Sequence, residues 1–446
     1  MKMVIGDVML DAVMGGSIRR ISPEAPVPIY DQVSMSATLG GAANCFANMS
    51  QAYPDTELAG VIGPDQAGEA IREIIDQNFP DRRAHEYVVT LKSYSTIEKL
   101  RLYADDKYVY RIDKETGTLY MEEYLEFLDR VMEPLWNSKL IVISDYNKGC
   151  ISPKLMDSVR STGKPMVVDS KRTDLSIFHG AHVYCPNLKE LMTLGLGRSA
   201  EAAAAIVAEK YDFKYVTVTL GKHGAMLWDS EKRAVTHYPV DTVEGADVVG
   251  AGDVFTAYLS AYYDDFGIED AVQRAVDAAS VSVAFASTTV VTPDVINIIK
   301  HKEVRDEELI RRMYPEAKIV YVNGCFDLLH LGHLETLRFA KKLGDLLVVG
   351  VNSDESVKRI KGDSRPVQGL ETRMAVLRAL DFVDVVCSFD DDTPLEQIKK
   401  VSPNLIVRGE KDKGEPVVGA SLVEGVAYAP SVGDHSTTAI IDALVK

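Results

Sequence analysis

The sequence has no uncharged apolar run long enough for a membrane span or a secretory leader; Asp7 and Asp11 already interrupt its first apolar stretch. It has no basic excess either. A formal net charge of −17 excludes a general nucleic-acid binder, which needs a cationic face to meet phosphates. Cysteine is sparse, with five scattered residues (Cys45, Cys150, Cys185, Cys325, Cys387), odd in number and without metal-type spacing. They read as free thiols in a reducing cytoplasm. Internal repeats and low-complexity segments are missing. What remains is globular in composition, with 46% hydrophobic and 26% charged residues, and at 446 residues it is too long for one ordinary core.

Short apolar runs, such as 140–143, 165–168 and 215–219, alternate with helical patterns such as 155–160 and 200–210. Continuous apolar strands separated by helices predict a mostly parallel sheet covered on both faces. Residues 86–113 have a different texture of alternating Thr, Tyr and charged residues, which predicts an antiparallel flap. A charged stretch at 301–316, stopped by Tyr314-Pro315, divides a first domain (1–300) from a second (317–446). There a new strand, helix (334–343) and strand (346–351) begin.

In the first domain Gly250-Ala251-Gly252-Asp253 precedes a helical pattern over 254–263. Small residues at a helix start let backbone N–H groups approach phosphate, and a carboxylate there can take a proton from an attacking hydroxyl. By themselves the four residues are equally well a plain turn with Asp253 favouring the helix N-terminus. In the second domain His330-Leu331-Gly332-His333 lies between a strand and a helix. The i, i+3 spacing puts both imidazoles on one face of the first turn, suited to donate to a phosphoryl group. Packing is an alternative for the pair. Zinc is disfavoured because no third ligand has suitable spacing.

Several motifs in order make residues 1–300 resemble the ribokinase-like sugar kinases. They are Gly6-Asp7 with Asp11, Gly40-Gly41 with Asn44, Asn187-x-x-Glu190, Thr219-Leu220-Gly221 with Gly224, and Gly250 to Asp253. The resemblance implies a ribokinase-like α/β domain with a small β flap. It also implies that Asp253 is the base, and that Asn187, Glu190, Thr219, Gly221, Gly224, Gly250, Ala251 and Gly252 hold ATP. Asp11, Gly40, Gly41 and Asn44 would then hold sugar, with Mg²⁺ arriving on ATP and organised indirectly by Glu190. Val249 departs from the family's usual Thr. The runs Ser22 to Pro28, Ser144 to Gly149 and Lys99-Leu100-Arg101 look like the heptose 7-phosphate kinases. Lys99, Arg101 or Arg111 would supply the cations for a phosphorylated sugar, unless they form a solvated strand face.

Residues 319–446 resemble the His-x-Gly-His nucleotidyltransferases of the cytidylyltransferase-like branch, which implies a Rossmann-like α/β domain. The match includes Asn323-Gly324-Cys325-Phe326-Asp327, Asn352-Ser353-Asp354, Lys358, Lys361-Gly362, Arg373 and Ser436-Thr437-Thr438. By that resemblance His330, His333 and Lys358 are catalytic. Asn323, Gly324, Phe326, Asp327, Asn352, Asp354, Ser436, Thr437 and Thr438 bind nucleotide. Kinase followed by transferase, with Gly362 to Val367, is similar to the bifunctional heptose 7-phosphate kinase/heptose 1-phosphate adenylyltransferases. That family makes ADP-heptose for lipopolysaccharide core synthesis from ATP and sugar phosphate, with a separate phosphatase acting between its two steps. A homodimer without nucleic-acid or membrane partners is expected. Arg408-Gly409-Glu410-Lys411-Asp412 departs from the usual Lys-Gly-Gly-Asp-Tyr, leaving open a transferase that uses CTP or another sugar phosphate. A silent scaffold is the reading from another class, and it has no need of the intact motif residues.

Overall fold

In the computed structural model the described residues are 1–80, 86–105, 107–115, 119–240, 250–285 and 290–431. The chain divides into two compact units, Met1–Pro293 and Asp294–Lys446.

The first unit is organised by a sheet of nine strands among the described residues. In order they are Ala234–Tyr238, Ala225–Asp229, Tyr215–Thr219, Val183–Tyr184, Met166–Ser170, Ile141–Asp145, Lys2–Gly6, Thr56–Ile62 and Tyr87–Thr90. All neighbours run parallel except at the Tyr215–Thr219 edge, where two hairpin-like pairings close the sheet. The inner strands are apolar because helices cover both faces, and Ile141, Val142, Val167 and Val168 are fully buried. From the central strand Lys2–Gly6 the chain first builds towards Tyr87–Thr90 and then returns to build the other side. The topological switch therefore lies between Lys2–Gly6 and Ile141–Asp145. In open α/β sheets the crevice outside the carboxyl ends of the strands at such a point receives ligands. Gly6 allows the close approach there, since a Cβ would stand 1.9 Å from the Ser144 carbonyl oxygen.

A second sheet of four strands forms the flap: Pro28–Gly41, Val8–Ile21, Ile97–Ala104 and Lys107–Lys114. The expected location over 86–113 needs correcting in two respects. Tyr87–Thr90 belongs to the main sheet, and two of the flap strands come from the N-terminal region. One flap pairing, Val8–Ile21 with Ile97–Ala104, is parallel.

The second unit has a parallel sheet in the order Val385–Phe389, Leu346–Asn352, Ile319–Gly324, Leu405–Gly409, Gly425–Ala429. Its switch point falls between Ile319–Gly324 and Leu405–Gly409. The charged stretch contains the helix Glu308–Met313. Ile298 of the helix Pro293–His301, Val304 of the intervening segment and Ile310 of Glu308–Met313 pack into the core of this unit.

Candidate active sites

In the first unit the candidate residues converge on the carboxyl ends of the strands. The helix Ala251–Ser282 opens at Gly250, whose φ of 80° sets the entry turn. Gly252 has open space where a Cβ would stand, leaving the first-turn amides approachable. Asp253 is buried in that turn. Its carboxylate accepts from Asn44 Nδ2 at 3.0 Å and from the Tyr146 hydroxyl at 2.7 Å. Burial, with Asp169 adding repulsion, pushes the Asp253 carboxyl up to about 6. Such a group is a usable base near neutrality.

The sugar-side candidates adjoin it. Arg101 Nη1 lies 3.1 Å from Asp11 Oδ1, and both side chains are largely buried. A Cβ at Gly40 would stand 2.8 Å from Asp11 Oδ2, and Gly41 has a φ of 56°, so both glycines are required by space or conformation. The Lys99 ammonium lies over the Tyr146 ring at 4.7 Å. Burial lowers its pKa, against the pull of Asp11 and Asp253. Arg111 stands apart, paired with Asp113 on an exposed flap strand.

Asn187 and Glu190 form a reciprocal capping box, each side chain accepting from the other's backbone N–H at 2.9 Å. Thr219 pairs with Asn187 across neighbouring strand ends. Gly221 (φ 59°) and Gly224 (φ 83°) make the following turn, and a Cβ at Gly224 would strike the Tyr238 carbonyl oxygen at 2.0 Å.

Asp169 and Lys171, outside the motif runs, and Tyr146, inside the Ser144 to Gly149 run but without an assigned role, adjoin these candidates. Lys171 Nζ lies 2.9 Å from both Asp169 Oδ1 and Glu190 Oε1, and 5.3 Å above the Tyr146 ring. Burial works against its charge, yet the two carboxylates hold it protonated well above its ordinary range. Tyr146, Asp169 and Lys171 follow or end apolar parallel strands, and that position was the signal by which the sequence could have revealed them. Asp7 has a supporting role: it is buried and accepts from the backbone N–H groups of Tyr146, Lys148 and Cys150.

In the second unit a cavity of about 390 Å³ opens at the switch point. It is lined by Asn323, Gly324, Cys325, Phe326, His330 and His333, and by residues 408–412 on the opposite wall. The helix begins earlier than the expected 334, at Leu331, with His330 as its N-cap. The two imidazoles stack at 3.8 Å between centroids, and Phe326 packs on His333 at 5.2 Å. Burial, then the neighbouring His330 and Lys361, lowers the His333 pKa to about 4, so this ring is neutral at pH 7.

The remaining candidates separate into lining and supporting groups. Asp327 is buried and accepts from the Val367 and Gln368 backbone N–H groups, holding the 365–368 loop. Asn352 donates to the Ser356 hydroxyl, and Asp354 accepts from the buried Arg373, which also donates to the Cys325 carbonyl oxygen. Lys358 does not line the cavity and pairs with Glu355; Lys361, one turn on, lines it. Glu410 accepts from the Ser431 N–H, and Arg408 pairs with Asp412. Val249 and the Ser436-Thr437-Thr438 run lie outside the described residues. No group of three or more metal-ligating side chains gathers among the described residues.

Fold and site together define a carbohydrate kinase unit joined to a nucleotidyltransferase unit. Residues 132–294 match the pfkB family carbohydrate kinases, and residues 321–424 match the cytidylyltransferase-like family. The first unit's fold is that of Escherichia coli phosphofructokinase-2 in complex with potassium (TM-score 0.56, 20% identity, 66% of this chain and 96% of that one). Arabidopsis thaliana ribokinase complexed with ribose and ATP shares it (0.52, 18%, 64% and 93%). Over nearly its whole length the chain is 34% identical to a bifunctional protein HldE of Campylobacter fetus subsp. fetus, covering 99% of this chain and 98% of that one. It is 35% identical to that of Actinobacillus pleuropneumoniae serotype 5b, covering 94% and 91%. The chain belongs to the bifunctional HldE family.

Proposed function

We propose that the first unit phosphorylates heptose 7-phosphate at the anomeric hydroxyl and that the second joins AMP to heptose 1-phosphate, giving ADP-heptose and pyrophosphate. The observation that carries the kinase half is the buried Asp253, held by Tyr146 and Asn44 beside the open first turn of its helix. Asp253 takes the hydroxyl proton as the sugar oxygen attacks the γ-phosphorus of ATP and ADP leaves. Gly250, Ala251 and Gly252 offer backbone amides to the transferring charge. Asp11 meets sugar hydroxyls, while Lys99 and Arg101 answer the distal phosphate.

Mg²⁺ fits this unit as a companion of ATP. Glu190 lines a cavity of about 360 Å³ together with Asn187, Lys171, Arg172 and Lys189, and Asp169 is joined to Glu190 through Lys171. One or two carboxylates together with substrate phosphates are the usual donors for this ion, and when bound it neutralises phosphate charge.

In the transferase half the sugar 1-phosphate is already anionic and needs no base. Its oxygen attacks the α-phosphorus, and pyrophosphate departs. His330 and His333 donate to the phosphoryl oxygens, with Lys361 near enough to add charge. The clustering of Asn323, Gly324, Phe326 and the stacked imidazoles around one cavity supports this reading.

The full chain acts, in this reading, in the cytoplasm as a homodimer. No helix among the described residues is long and apolar enough to cross a membrane, and the five cysteines are free. Val33, Met35, Tyr110 and Ile112 expose apolar surface on the flap, which supports pairing with a second copy there.

Incubation with a panel of sugar phosphates and with ATP or CTP, followed by ³¹P NMR, tests the assignment. Heptose phosphates with ATP are expected to exceed all other pairs. Equal use of CTP, or preference for another sugar phosphate, would reject the adenylyl or heptose part respectively.

A further inference from the structure

A second cavity of the Asp294–Lys446 unit, about 530 Å³, shares no lining residue with the His330/His333 cavity. It is lined by Asn297, Lys300, His301, Lys302, Glu303 and Arg305, with Arg378 and Ala379 closing the far side. Four full positive charges face a single carboxylate there, in a chain whose net charge is −17. Gathering like charges in one concavity costs Coulomb repulsion that an anion would relieve.

The cavity has a fixed frame. Residues 302–304 are tied to the edge of the parallel sheet, where Val386 N donates to the Lys302 carbonyl oxygen at 2.7 Å and Val304 N to that of Val386 at 3.4 Å. Buried Ile298 and Val304 anchor the same segment in the core. Part of the positive charge already has work. Lys302 Nζ donates to the Leu380 carbonyl oxygen at 2.9 Å, and Arg378 pairs with Glu303. Lys300, His301 and Arg378 also stand in the last turns of two helices, whose carbonyl ends favour cations. Arg305 is different: it is exposed, lies beyond both helices, and has no ion pair among the described residues. Helix-end compensation and the Glu303 pair therefore leave Arg305 unexplained, and with it the shape and volume of the hollow.

We propose that this cavity binds a small anion carrying two phosphate groups, with Arg305 as its principal donor and Lys300 and His301 beside it. Planar guanidinium and rotatable ammonium groups around a hollow of this size suit paired phosphates better than one carboxylate. The shared chemistry belongs both to inorganic pyrophosphate and to a sugar bisphosphate.

The test is isothermal titration of the full-length chain with inorganic pyrophosphate and, separately, with fructose 1,6-bisphosphate. Wild type is compared with Arg305→Gln and with the double variant Lys300→Gln/Arg305→Gln. Expected is a binding phase for at least one probe that weakens roughly tenfold in the single variant, the equivalent of one lost charge-assisted hydrogen bond, and disappears in the double variant. Pyrophosphate alone, or the bisphosphate alone, identifies which spacing of phosphates the cavity takes. Both catalytic rates measured without added probe should stay unchanged. Because Arg305 is exposed, the single variant reads binding without a folding penalty. Isotherms identical among wild type and variants for both probes would overturn the proposal.

Discussion

Tyr146 donates its hydroxyl proton to Asp253 Oδ1 at 2.7 Å, so the proposed base, in a helix's first turn, is held by a residue some hundred positions away just past the strand Ile141–Asp145. That bond favours the ionised carboxylate, while burial and Asp169 oppose it, leaving Asp253 near 6. The base must be ionised to act. Kinase kcat/KM is therefore expected to fall as pH drops through about 6. Tyr146→Phe removes a donor to the carboxylate and should move that limb to higher pH. A pH–rate profile whose limb is unmoved in Tyr146→Phe would show that the hydroxyl does not tune the base.

Lys171 joins Asp169 to Glu190 at 2.9 Å on both sides. Lys171→Met is expected to lower kinase kcat by roughly 10- to 150-fold, the equivalent of one or two charge-assisted hydrogen bonds. Lys171→Arg should restore part of the loss, and adenylyl transfer should be unaffected. An unchanged kinase rate in Lys171→Met, measured as ADP release, would leave the lysine a bystander.

Gly40 packs against the sugar-side pair. A Cβ there would press on Asp11 Oδ2 at 2.8 Å and on Met9 Cγ at 2.9 Å. Gly40→Ala should displace Asp11 and raise the KM for sugar phosphate by about tenfold, within the 1–3 kcal/mol usual for overpacking. The KM for ATP should change little. Steady-state kinetics in each substrate separate the two effects, and equal rises in both would point to general distortion.

His333 is neutral in the free protein because burial lowers its pKa to about 4. A phosphate anion beside it favours the charged form, so its pKa rises on binding. Near pH 5 to 6 nucleotide binding should therefore take up a proton, and His333→Asn should remove that uptake. Titration calorimetry in two buffers of different ionisation enthalpy measures it. The same proton count in both proteins would contradict the placement of phosphate at His333.

The parallel sheets and the clustering of motifs were legible because strands buried on both faces read as continuous apolar runs, as at 140–143 and 346–351. The helix starts that carry Asp253, His330 and His333 were legible because glycines beside a helix start leave a sequence mark. Lys171 escaped that reading, and Tyr146 entered it only within the Ser144 to Gly149 run, without its contact to Asp253. Their contacts depend on which strand ends lie side by side, and strand order is not written in local pattern. The flap was only half located for a related reason: Ile97–Ala104 and Lys107–Lys114 pair antiparallel where expected, but Val8–Ile21 joins them across a long stretch of intervening chain. Lys358 and Lys361 are separated by three positions on one helix. Only the packing of that helix decides that Lys361 lines the cavity and that Lys358 pairs with Glu355.

The most direct test of the central claim, that one chain carries two separable phosphate chemistries on a heptose, uses three full-length proteins followed by ³¹P NMR. Wild type, Asp253→Asn and His333→Asn each receive ATP–Mg²⁺ with heptose 7-phosphate, and in a second tube with heptose 1-phosphate. Wild type should form ADP and the 1,7-bisphosphate in the first tube, and pyrophosphate with ADP-heptose in the second. Asp253→Asn should lose only the first reaction, by roughly 10²- to 10⁴-fold, the usual contribution of a general base. His333→Asn should lose only the second. A substitution that silences both reactions, or leaves its own reaction at the wild-type rate, would contradict the account.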